Sequence, residues 1–211
     1  MVKRVRRSSS KESLLQLLIA CLMVIGITLI MSGCSCTNEE IPEDFRVLSV
    51  REIYPQALKE AEEWKDDAYL NIVGLWVIPD DYDDVLHAYF GFETSDSSEW
   101  FSIEFVGSEN NIKIKSKDSG VYPSNLDKPE IDLDMITLDS TEAFKQIFQK
   151  EGNKLFERHP DVIYPIILYL NRHGYEYVKW VASFETRDGI SWMITMDAKS
   201  NEITEVKVID E

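Results

Sequence analysis

Apolar and polar residues alternate along Val178, Trp180, Ala182 and Phe184, and the alternation stops near Asp188-Gly189. Period-two alternation ended by Asp-Gly predicts a β-strand entering a tight hairpin. A second apolar run, Ile190 to Met196, carries Trp192 and ends at the turn Asp197-Ala198-Lys199-Ser200-Asn201-Glu202. At an offset of 92 residues, Phe92-Glu93-Thr94, Asp96 and Trp100 repeat Phe184-Glu185-Thr186, Asp188 and Trp192 without a gap. An echo at fixed offset predicts one small module used twice.

Each half reads as a helix followed by four strands. In the first, Ser49-Val50-Arg51-Glu52 has capping-box spacing, and Pro55 suits a first helical turn. Ala57, Ala61, Trp64 and Ala68 then share one helical face. The small residues on it let the helix lie close to a flat surface, with Trp64 filling the gap near its end. Strands follow at 69–78, 85–94, 100–106 and 112–117, with Leu86, Ala88, Phe90 and Phe92 on one face of the second. Residues 118–135 read as a linker, since Gly120, Pro123 and Pro129 argue against regular structure. In the second half, Asp139 and Glu142 open a helix whose apolar face is Ala143, Phe144, Ile147, Phe148 and Leu155; Gly152 weakens it and His159-Pro160 ends it. Strands at 162–170, 175–186, 190–196 and 202–209 complete the chain. One mismatch stands out. After Trp100 the apolar positions are Phe101, Ile103 and Phe105, but after Trp192 they are Ile194 and Met196. A bulge in one copy, or a third strand packed on both faces, accounts for it. The expected fold class is α+β: two tandem modules over 47–117 and 136–211, each a helix on an antiparallel four-stranded sheet.

Composition changes the picture at the N-terminus. Lys3, Arg4, Arg6, Arg7 and Lys11 form a basic head before an apolar run from Leu14 to Met31, then Ser32-Gly33-Cys34. These are the parts of an export signal. Ser-Gly-Cys also resembles the bacterial lipobox, in which the cysteine is acylated and becomes the new N-terminus; Met31 stands where that motif has Leu, Val or Ile. Residues 1–33 are therefore expected to be a lipoprotein signal peptide, with an uncleaved membrane anchor as the alternative. Cys34 is the expected lipidation site, and residues 34–46 form an acidic tether. Either reading leaves the basic head inside and the rest of the chain outside the cell membrane. The chain's formal net charge is −16; residues 1–33, where Glu12 stands against those five basic residues, carry +4, so the rest carries −20. A surface that acidic repels phosphate backbones and argues against nucleic acid as a partner. All three cysteines, Cys21, Cys34 and Cys36, precede the globular part, so no disulfide holds that part together.

The second half's Glu142-Ala143 helix start, the strand through Trp180 and Phe184, and the closing Asp197-Ala198-Lys199-Ser200-Asn201-Glu202-Ile203 resemble the PepSY domain. Asn201 stands where that family has Gly, and Asn also tolerates positive φ. The first half, from Tyr54-Pro55-Gln56-Ala57-Leu58 through Trp64 and Asp67-Ala68-Tyr69-Leu70, resembles divergent relatives but lacks the Asp-Ala turn. The resemblance implies a cystatin-like module outside the cytoplasm, one that inhibits or chaperones the protease in thermolysin-type propeptides. It brings no catalytic residues.

Candidate chemistry is sparse. Asp80, Asp81, Asp83 and Asp84, with Asp132 and Asp134, lack the glycine turn and the spacing of a calcium loop, and a solvated loop accounts for them. His87, His159 and His173 lack metal or nucleophile spacing. No catalytic, metal or cofactor residue is therefore expected. Trp76, Trp100, Trp180 and Trp192 all fall in predicted strands. They belong either to the core or the interface between the two copies, or to an exposed aromatic surface for a polypeptide or glycan. The expected function is a surface-tethered, non-catalytic binding module, one that restrains or assists an exported protease. The alternative is a sensory or scaffold lipoprotein that binds an envelope component; an enzyme of unknown type comes third.

Overall fold

In the computed structural model, which describes residues 44–108, 111–122, 129–172 and 176–209, Ser49 starts helix α1 (Val50–Trp64) by accepting the Glu52 N–H on its hydroxyl. The helix buries Val50, Ile53, Ala57 and Ala61. Pro55 lies in its second turn, not the first, and there gives no N–H to the carbonyl of Arg51. Helix α2 (Ser140–Ile147) starts at Asp139. A π-helical segment, Phe148–Gly152, carries it into α3 (Asn153–Arg158). Gly152 is needed where it stands, because a Cβ there would lie 2.7 Å from the Phe148 ring.

The two helix starts meet. Oδ1 of Asp139 accepts the N–H groups of Ser140 at 2.8 Å, Val50 at 3.1 Å and Arg51 at 3.3 Å, while Ser49 donates its hydroxyl to Oδ2. Ser140, fully buried, donates its hydroxyl to the Leu48 carbonyl. One carboxylate thus satisfies N–H groups that both helices would otherwise leave unmade.

The strands are β1 (Phe45–Arg46), β2 (Tyr69–Pro79), β3 (Leu86–Glu93), β4 (Glu99–Ser108), β5 (Asn111–Val121), β6 (Val162–Asn171), β7 (Lys179–Thr186), β8 (Ser191–Asp197) and β9 (Ile203–Ile209). They form one nine-stranded antiparallel sheet in the order β5-β4-β3-β2-β6-β7-β8-β9, with β1 added beside β2. The fold is α+β, as expected. The sheet differs from the two separate four-stranded sheets expected, because β2 and β6 pair along Ile72–Val77 and Ile166–Asn171. Left apart, each would be a long apolar edge strand with unpaired backbone groups; pairing removes both edges. The expected linker also differs. β5 runs four residues into the expected linker, to Val121, and within that linker Ile131 is buried and donates its N–H to the Leu70 carbonyl.

The core lies between the helices and one sheet face. Leu70, Val73, Leu75, Ala88, Phe90, Phe92, Ile103 and Phe105 line it on one side of the β2–β6 junction, and Leu168, Leu170, Trp180, Ala182, Phe184 and Ile194 on the other. Trp64 stacks on Phe101 with ring centres 5.5 Å apart, while Phe144 and Phe156 each meet Phe184 at 6.3 Å.

The hairpins explain the parity mismatch. Thr94 and Thr186 each begin a turn, donate a hydroxyl to the aspartate two residues on, and accept an N–H from the residue that closes the turn. That residue is Glu99 in the first hairpin and Ile190 in the second. Ser97 and Gly189 occupy the same place with φ of 54° and 86°, so Ser98 is the additional residue. Beyond it the offset becomes 91. Phe92 faces Phe101 and Phe184 faces Trp192, so Trp192 corresponds to Phe101 and not to Trp100.

Candidate functional site

Alternation that turns one residue set toward the helices turns the other set onto a face the helices do not cover. Cross-strand partners share a face, which fixes its membership. One row across it reads Glu104, Tyr89, Gly74, Tyr169, Val181 and Thr195; a neighbouring row reads Asp118, Ser102, Gly91, Ile72, Asn171, Lys179 and Asp197. Gly74 and Gly91 lie in the middle, where neighbouring side chains close over them: Tyr169 over Gly74, and Ile72, Asn71 and Tyr89 over the buried Gly91. A Cβ on Gly91 would lie 2.6 Å from Cγ2 of Ile72, whereas one on Gly74 would meet the Tyr169 ring at an ordinary 3.5 Å. Tyr89 stands beside them with 41% of its surface exposed.

Three polar groups surround this centre. His87 stacks on Trp76 with ring centres 3.7 Å apart, and its Nδ1 lies 2.8 Å from Oε1 of Glu104. Lys115 donates to the same oxygen at 3.0 Å, and Ser116 donates to Oε2. Burial pushes the Glu104 carboxyl up, but the hydrogen bonds from His87 and Lys115 outweigh it and hold the group below the usual carboxylate range. At one end, Glu93 is fully buried and accepts from Asn71 at 2.5 Å, Tyr122 at 2.8 Å and Tyr69 at 3.4 Å. Burial first, then the hydrogen bond to Glu93, push the Tyr122 hydroxyl far up, so it stays a donor. At the other end, Lys179 donates to Oδ2 of Asp197 at 2.8 Å. Two backbone N–H groups, from Lys199 and Ser200, hold Oδ1.

The four tryptophans expected in strands separate. Trp76 and Trp100 belong to the open face; Trp100 lies on Gly120, where a Cβ would come within 2.9 Å of the indole. Trp192 is half-buried on the helix side, its ring centre 5.6 Å from His159. Trp180 is fully buried in the core and cannot form part of a surface. Asp80, Asp81, Asp83 and Asp84 lie in and beside the β2–β3 connection, and Asp132 caps a short 3-10 turn through the Asp134 N–H. Among the described residues, no group of three or more His, Cys, Asp or Glu is placed to hold a metal ion, and no helix is long and apolar enough to cross a membrane. His173 and Cys34 lie outside the described residues. Sequence reasoning missed Glu93, Tyr89 and Tyr169. Glu93, a charge directly after the apolar Phe90-Gly91-Phe92, was the available signal for a buried carboxylate.

This arrangement defines a class by architecture: an antiparallel sheet covered by helices on one side, with no described helix on the other, where Val181 and Thr195 are nonetheless buried. No family model matches the chain. No curated protein matches it. A crystal structure of "a putative lipoprotein" from Clostridium difficile 630 is similar, with a TM-score of 0.52 at 10% sequence identity, over 74% of this chain and 92% of that one. At that identity the likeness is one of fold.

Proposed function

We propose that this protein is exported, tethered by lipid at Cys34, and serves as a non-catalytic binding module. Its open sheet face holds an extended segment of an exported protein, a protease being the favoured partner. The observation that carries the reading is the face itself, where Trp76, Tyr89 and Tyr169 stand near one another around Gly74 on the side that no described helix covers. Rigid aromatics with polar tips bind polypeptide with little loss of rotamer freedom. The basic head, apolar run and Ser32-Gly33-Cys34 support the tether, and a fold shared with a protein described as a putative lipoprotein accords with it. The finer reading of the fold is two PepSY-like, cystatin-like modules fused at β2 and β6. The matching hairpins at Thr94 and Thr186 support it, and the PepSY resemblance supplies the protease.

The test is capture of exported proteins on immobilised residues 41–211, beside Trp76→Ala and Tyr169→Ala variants, followed by protease assays on what is retained. A protease held by the wild type, slowed by it and released by the variants supports the reading. A non-protease partner held in the same way supports a sensory or scaffold lipoprotein instead. Turnover of any substrate, lost on changing one polar residue, overturns both in favour of an enzyme.

A further inference from the structure

We infer that two copies of this chain join edge to edge through β9, about a two-fold axis passing at Val206. β9 ends the sheet order and pairs on one side with β8 alone. Its other side presents backbone donors and acceptors with nothing against them among the described residues, which is a template for another strand. Val206 and Val208 lie on the helix-facing side of the sheet, opposite Ile194 and Trp192, yet are 43% and 45% exposed. They sit past the reach of the helices and leave an apolar strip at the rim.

Charge then selects the occupant. The strand reads Ile203-Thr204-Glu205-Val206-Lys207-Val208-Ile209. Laid antiparallel on itself about Val206, it sets Glu205 against Lys207 twice, Val206 against Val206, and Thr204 against Val208. A two-fold interface requires this kind of self-complementarity. Within the chain, the Glu205 and Lys207 side chains have no hydrogen bond or ion pair among the described residues, so both charges are available. Moving the axis to Lys207 would oppose two ammonium groups, and moving it to Glu205 would oppose two carboxylates. A slip to an axis between residues would set Val206 against Lys207 and bury the charge on the apolar side. The bulge at Thr204, where the β8 register shifts, limits the straight segment but leaves the three central pairs regular.

The opposite edge lacks these features. β5 carries Lys113, Lys115 and Lys117, the last two already paired with Glu104 and Glu60. Lysines of this kind guard an edge against pairing. The β2–β6 junction shows that this sheet already accommodates an antiparallel join between apolar strands at its centre.

The experiment uses full-length chain in detergent solution, with wild type as the background for its own three cysteines. Val206→Cys lies on the axis, where directly opposed residues come within disulfide reach, so mild oxidation should yield a dimer containing the 206–206 linked peptide. Val208→Cys is the control, since two copies of position 208 would stand about 13 Å apart along the strands. Lys207→Glu should weaken the dimer about tenfold in sedimentation equilibrium, and adding Glu205→Lys should restore it, because cross-strand pairs of about 0.2–1 kcal/mol each change sign twice. Equal cross-linking at 206 and 208, a monomeric wild type, a dimer unmoved by Lys207→Glu, or a Val206→Cys cross-link to a different protein each overturn the proposal. Rescue by the double reversal separates lost pairing from misfolding.

Discussion

Replacing Lys179 with Met removes the one side chain that neutralises Asp197 among the described residues. The two groups are 2.8 Å apart, with side chains 10% and 13% exposed, so both are largely out of water. At 2.8 Å and an effective dielectric of 20 the attraction is about 6 kcal/mol, and much of it offsets the cost of desolvating two ions. The variant leaves Oδ1 held by the Lys199 and Ser200 N–H groups and strands Oδ2. Breaking one side of a buried pair costs about 3–5 kcal/mol, and the two remaining N–H bonds bring the expected loss to about 2–3 kcal/mol. Urea unfolding of residues 41–211 measures it. The pH dependence adds a second readout. Burial pushes the Asp197 carboxyl up, but Lys179 and the Ser200 and Lys199 N–H groups more than offset that and bring it to about 2. A folded pKa below the ordinary value means its contribution is complete above the unfolded pKa. That contribution is lost as pH falls from about 4 to about 2. Without Lys179 the folded pKa moves back toward the ordinary value, so the fall in stability over that interval becomes shallower. A loss below about 0.5 kcal/mol, or an unchanged acid slope, would refute the reasoning.

Asp139→Ala should destabilise by about 2–4 kcal/mol in urea unfolding, against about 1 kcal/mol for Ser49→Ala, because Asp139 caps two helices; equal losses would contradict the shared cap. Gly91→Ala should cost about 1–3 kcal/mol through the 2.6 Å approach to Ile72, while Gly74→Ala, with its nearest contact at 3.5 Å, should cost less by the same measurement. Cys34→Ala should abolish labelling of the full-length protein by a fatty-acid probe, and persistent labelling would rule out that anchor site.

The helices were legible because their signals are local. Ser49 and Asp139 stand at their N-caps, and Ala57, Ala61, Phe144 and Ile147 fall on the buried faces as helical spacing requires. The helix-facing strand positions were legible for the same reason: Leu86, Ala88, Phe90 and Phe92 alternate. The union of the two half-sheets was not, since pairing β2 with β6 joins residues far apart in sequence. A trace of it existed. Both strands are apolar on both faces, with Ile72 and Trp76 in one and Ile167 and Tyr169 in the other, which marks central strands. The open face was half-legible. Parity alone assigns Trp180 to the side of Ala182 and Phe184 and so to the core, but it cannot show that Tyr89, Gly74 and Tyr169 become neighbours.

The hairpins show why identical letters misled over identical places. Trp100 and Trp192 keep a constant spacing from Thr94 and Thr186, which suggests one structural role. Yet spacing in sequence becomes position in a sheet only through turn length, and one added residue inverts the face of everything after it. Ser98 is that residue: its N–H bonds to Asp96, and the turn closes at Glu99 one residue later than in the second hairpin. Trp100 is thereby placed on the open face over Gly120, while Trp192 takes the helix-facing place that Phe101 holds in the first half. Phe101, Ile103 and Phe105 then correspond to Trp192, Ile194 and Met196, and these three positions face the helices in both halves. The unequal parity thus follows from one more residue in the first turn than in the second, and turns on the surface accommodate such differences in length.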